Sequence, residues 1–132
     1  YGATAGWGLL MDVNDGAVMV GTTQKATGYL VNVGGKIMAE EVRVALRANW
    51  PDYVFSKEYQ LPTLSHLENY INTNNHLPNV PSAAEVKKEG ILLGDMNGKL
   101  LEKIEELSLY IIQINKKVEA QQQEINFLKA SK

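Results

Sequence analysis

Two histidines, His66 and His76, are the only imidazoles in this 132-residue chain, the side-chain type most used for general-base and metal chemistry. Standing ten residues apart, they match no zinc-ligand spacing. No cysteine is present, which excludes disulfides, thiolate metal sites and a cysteine nucleophile. A serine hydrolase needs nucleophile, base and orienter, and no Gly-x-Ser-x-Gly elbow appears. Asp12-Val13-Asn14-Asp15-Gly16 carries part of a calcium-loop spacing. Its glycine comes one place early, however, and Thr23 stands where a bidentate glutamate belongs, so a turn is expected. Gly34-Gly35-Lys36 lacks the earlier glycine and the following hydroxyl of a phosphate-binding loop. The adjacent carboxylates Glu105 and Glu106 read as a solvated helix face rather than an acid/base pair. Trp50, Tyr53, Phe55 and Tyr59 offer flat rings on which a sugar could stack. So close to Pro51, they are expected to form a small core under a loop instead. The expectation is a non-catalytic chain with no cofactor and no metal.

Composition narrows the class of protein. At 45% hydrophobic and 21% charged residues, the chain is too apolar for a disordered tail. A net charge of −2 supplies no basic field for nucleic acid or an anionic membrane. No apolar run approaches the roughly 20 residues of a membrane span, so no membrane insertion is expected. The sequence opens on Tyr1 without a signal-peptide pattern, and any targeting information is expected upstream.

Three zones follow from the punctuation. Residues 1–48 read as a β-rich segment: Leu9-Leu10-Met11, a turn at Asn14-Asp15-Gly16, then Ala17 to Val20. Strand pattern resumes at Tyr29 to Val33, turns at Gly34-Gly35 and continues from Lys36 to Leu46. Gly16 to Val20 aligns with Gly35 to Ala39, a weak 19-residue repeat that fits either stacked fibre strands or an ordinary meander. Residues 49–92 read as a compact connector. Thr63 is the expected N-cap of a short helix with Leu64, Leu67 and Ile71 on one face, stopped by Asn74 or Asn75. After the proline-rich His76 to Pro81, Ser82 and Glu85 form an expected capping box, and Gly90 ends the helix they open.

Residues 93–132 read as one long coiled-coil helix. Asn97, Ile104, Ile111, Val118 and Ile125 fall at the a positions of a heptad, with Leu93, Leu100, Leu107, Ile114, Gln121 and Leu128 at d. Nine of these eleven are apolar at alternating spacings of three and four, the strongest pattern in the chain. Burying each such side chain is worth roughly 1.5–3 kcal/mol, and the other zones are too small to cover the stripe. Its expected cover is the same helix from other copies, which makes these eleven the candidate oligomerisation residues. Asn97 and Gln121 are polar seam positions expected to fix register. Isoleucine or valine at a with leucine at d leans toward dimers, but Ile114 sits among the d leucines, so the heptads leave the copy number open. Leu101, Leu109 and Ile112 lie off the seam and are expected to receive the connector.

Several of these segments carry a resemblance. Trp50 to Phe55, Leu64 to Ile71, His76 to Val86, Gly94-Asp95-Met96-Asn97 and Leu100 to Leu107 together resemble the C-terminal domain of phage and bacterial tail-fibre-type proteins. That domain is related in layout to the endosialidase-type intramolecular chaperone (S74 peptidase) family. The resemblance spans residues 30–128, and its Leu-Pro-x-Val-Pro-Ser core at 77–82 is its most specific part. It implies an α+β homotrimer on an extracellular fibre, of a phage tail, an injection system or a bacterial surface, whose terminal domain sets three chains in register. It also implies two alternatives: a receptor- or glycan-binding tip, and a chaperone that cuts itself free. Self-cleavage in the family uses a Ser-Asp pair, which this sequence lacks, so cleavage is not expected.

Overall fold

A computed structural model describes residues 8–45 and 50–131. The expected β zone also takes in 1–7 and 46–48, which lie outside the described residues. The architecture is α+β: a small three-stranded sheet, a short helical segment and one long helix over 93–130. The chain divides into two compact units, residues 1–43 and 44–132.

In the first unit, β1 (Leu9–Met11) pairs antiparallel with β2 (Val18–Val20), placing Leu9 opposite Val20. Gly16 takes a φ of 73°, and its N–H donates to the Asp12 carbonyl at 2.8 Å, closing the expected turn. Asp12 and Asp15 both reach the Lys25 ammonium, Asp12 at 2.8 Å, so a side-chain cation already answers this acidic loop.

β3 (Val31–Val33) runs parallel to β2, with Val18 opposite Val31, so the sheet is not a meander. A parallel return usually takes a dozen or more residues. Here 21–30 suffice because Asn32, buried, pins the loop: its Oδ1 accepts the Ala26 N–H at 2.8 Å and its Nδ2 donates to the Tyr29 carbonyl at 3.2 Å. Gly34 is required by close approach, since a Cβ there would meet the Gly21 carbonyl oxygen at 2.5 Å. It does not begin a hairpin. Residues 34–45 form no strand, and Ile37 and Met38 stay exposed with no strand beside them, so the 19-residue repeat pairs nothing over the described residues.

The second unit opens on a 3-10 turn, Pro51–Phe55. Residues three apart eclipse in such a turn, which puts Pro51 and Val54 on one buried face, Val54 at 1% exposure. Trp50, Tyr53 and Phe55 fall on other faces and stay about half exposed, so the expected aromatic core does not form. α1 (Leu64–Asn74) starts where the Thr63 hydroxyl accepts the His66 N–H and stops at Asn75, whose φ is 58°. α2 (Ala83–Glu89) carries the Ser82–Glu85 capping box and ends at Gly90, φ 71°. α3 (Leu93–Ala130) then runs for about 57 Å at 1.5 Å per residue.

Candidate functional site

α3 has two faces of opposite character. Residues 102, 103, 106 and 110 share one side of the helix by their spacing, and the connector covers them. Lys103 Nζ donates to Glu102 Oε1 at 2.7 Å and to Glu106 Oε2 at 2.9 Å, with all three side chains below a tenth exposed. The Tyr53 hydroxyl donates to Glu102 Oε2, and the Tyr59 hydroxyl donates to Glu106 Oε1. Tyr110 is buried, and its hydroxyl donates to the Pro62 carbonyl at 2.7 Å, just before the α1 cap.

The charge states follow from these partners. Desolvation pushes the Glu102 carboxyl upward, but hydrogen bonds from Lys103, Tyr53 and Asn79 outweigh it and hold it below its ordinary value. Burial likewise works against the Lys103 ammonium, yet its bonds to Glu102 and Glu106 leave it above the usual lysine value. Tyr53 is pushed up to about 12, first by its bond to Glu102 and then by burial. Glu105 behaves differently. It is 7% exposed, its Oε2 has no hydrogen-bond partner, and desolvation together with Asp52 and Glu102 raises it.

Two expectations are thereby corrected. Glu105 and Glu106 are buried rather than solvated: Tyr59 of the connector brings a phenolic donor to Glu106, whereas Glu105 is covered with no donor to its Oε2. The connector docks on this charged face; of the residues expected to receive it, Leu101 and Leu109 are half-buried and Ile112 remains half exposed. A weak signal existed in the sequence: three tyrosines and Asn79 are donors in want of acceptors once their rings and backbone are anchored. Asn79 does two jobs, since it takes a φ of 65° and its Nδ2 donates to Glu102 at 3.3 Å. Asn79→Ala is expected to be about 1 kcal/mol less stable than Asn79→Gly in thermal melting, since only alanine adds left-handed strain to the lost bond. Equal melting of the two variants would show that the backbone shape is unimportant there.

The other face is the stripe. All eleven candidate oligomerisation residues are exposed, and the nine apolar ones lie between 44% (Leu100) and 65% (Ile111). From Ile111 to Ala130 every residue of the helix is exposed. A helix that hides charge and shows aliphatic side chains reverses the usual amphipathic order. No helix among the described residues is long and apolar enough to cross a membrane. His66 lies in the first turn of α1, while His76 sits edge-on to Tyr70, and no group of three or more potential metal ligands gathers among the described residues.

No protein-family model, curated protein or solved structure matches this chain. What it does is to be read from the two faces of α3.

Proposed function

We propose that this chain is a non-catalytic trimerisation and folding-registration module of a tail-fibre-like or surface fibre protein. Three copies of α3 close into a parallel coiled coil along the a/d stripe. The observation that carries this reading is the exposed run of nine aliphatic side chains on α3, opposite a face already taken by the chain's own connector. Among the described residues of the second unit nothing else covers the stripe, and identical helices with one heptad register are complementary to each other. The number three comes from the tail-fibre resemblance, since the heptads permit two copies as well. Asn97 and Gln121 set the register, because a polar seam residue tolerates only its own kind opposite. The Glu102–Lys103–Glu106 network fixes the base of α3 to the connector, so chains brought together by the coil are also held at a defined rotation.

Light scattering tests this directly. The full chain is expected at three times 14.6 kDa, and a version ending at Gly90 is expected to fall to monomer or to aggregate. A monomeric full chain overturns the proposal. The intact mass of the same sample should stay constant on long incubation; loss of a fragment near residues 39–50 would bring back the self-cleaving alternative.

A further inference from the structure

The two flanks of the α3 stripe are unlike. With Ile104 and Ile111 at a, Lys103 and Tyr110 fall at g, whereas Leu101 and Ser108 fall at e and Ile112 at the adjoining b. The g flank is occupied by the chain's own connector, and both Lys103 and Tyr110 are buried there. Beside them, Leu67 of α1 and Leu77 of the Leu-Pro segment stand next to Leu107 and line a mostly apolar groove of about 90 Å³. Small-molecule sites run to roughly 300–1,000 Å³, so this groove is of a size for a side chain and not for a ligand. Leu107 is at once a wall of the groove and a d residue, so the groove opens onto the seam. The e flank is mixed: Ile112 is half exposed and Leu101 and Ser108 are half-buried, while Glu105 between them is buried.

Parallel coiled coils bring the g flank of one helix against the e flank of the next. We infer that the connector of each copy clamps the neighbouring copy, the Leu67–Leu77 groove receiving the Leu101–Ile112 flank of the next α3. This rests on the parallel coil proposed above. The occupant is a second copy of this chain because Leu107 belongs both to the groove and to the heptad stripe, and in a parallel coil that side meets the flank carrying Leu101 and Ile112. Ile112, half exposed off the seam and two residues beyond Tyr110, supplies the apolar side chain such a clamp requires. The connector then has two duties. Its tyrosines bind its own helix by hydrogen bonds to Glu102 and Glu106, and its leucines bind the next helix through apolar contact.

The chain has no cysteine, so each introduced thiol is unique. Leu77→Cys and Ile112→Cys chains, one of them tagged, are unfolded together, refolded as a mixture and treated with a short bis-maleimide. Expected is a covalent two-chain product joining the tagged to the untagged variant, absent when either variant is treated alone. Light scattering on the same mixture separates the two claims. An oligomer that yields no mixed product overturns the clamp and leaves the coiled coil standing. A monomeric mixture overturns both.

Discussion

Ile104→Asp combined with Ile111→Asp is expected to turn the oligomer into monomers at micromolar chain concentration and to strip helicity from the second half of α3. Each isoleucine contributes roughly 1.5–3 kcal/mol on burial, all of it lost. Each carboxylate placed in the seam adds a penalty of several kcal/mol for an unpaired buried charge. Copies meeting on an axis multiply both costs by their number, and the total exceeds the about 8 kcal/mol that define micromolar association. The connector should hold, since Ile104 and Ile111 are 58% and 65% exposed within one chain and lie away from the Glu102–Lys103–Glu106 network. Beyond Ile111 no residue of α3 is covered, and a helix without a packed face is marginal in water. Light scattering reads the first effect and far-ultraviolet circular dichroism the second. A doubly substituted chain that kept its mass would place the seam elsewhere.

Features set by neighbours in sequence were legible in advance. Thr63, the Ser82–Glu85 box and Gly90 act within one helical turn, so residue type and spacing decide them. The α3 stripe was legible for the same reason, since a heptad repeats its statement five times. The sheet was not. Its parallel pairing depends on Asn32 holding a loop six residues back and on Gly34 lying against Gly21, contacts that no strand pattern encodes. The charged face of α3 was missed for a sharper reason. Glutamates and lysines outside a and d are ordinarily solvated, and what buries these are tyrosines 49 and 47 residues away. The 3-10 turn likewise reversed the aromatic expectation, because its three-residue period buries Val54 and leaves Trp50, Tyr53 and Phe55 about half exposed.

That buried network carries the second large effect. Lys103→Met should cost about 3–5 kcal/mol, because Glu102 and Glu106 would then face each other without their shared cation. Adding Glu102→Gln and Glu106→Gln to the same chain should recover most of the loss, which simple loss of packing would not do. The unsubstituted protein should show the same network in its pH dependence. Glu102 is depressed when folded, so its contribution is present above the unfolded carboxylate value of about 4.3 and disappears as pH falls through its lower folded value. Lys103 is raised when folded, so its contribution is present below about 10.4 and disappears as pH climbs through its higher folded value. Tyr53 adds to the alkaline loss, between its unfolded value of about 10 and its folded value of about 12. Glu105 has the opposite sign from Glu102. Raised by burial, it weakens the fold above its folded value and ceases to do so below the unfolded one. Glu105→Gln should therefore stabilise the protein at neutral pH and leave a steeper acid loss governed by Glu102. Thermal melting across pH, at one fixed chain concentration because an oligomer's melting depends on it, measures each of these slopes. A Glu105→Gln protein that melts lower at pH 7 would mean that the ionised carboxylate gains more from its surroundings in the folded protein than its burial costs.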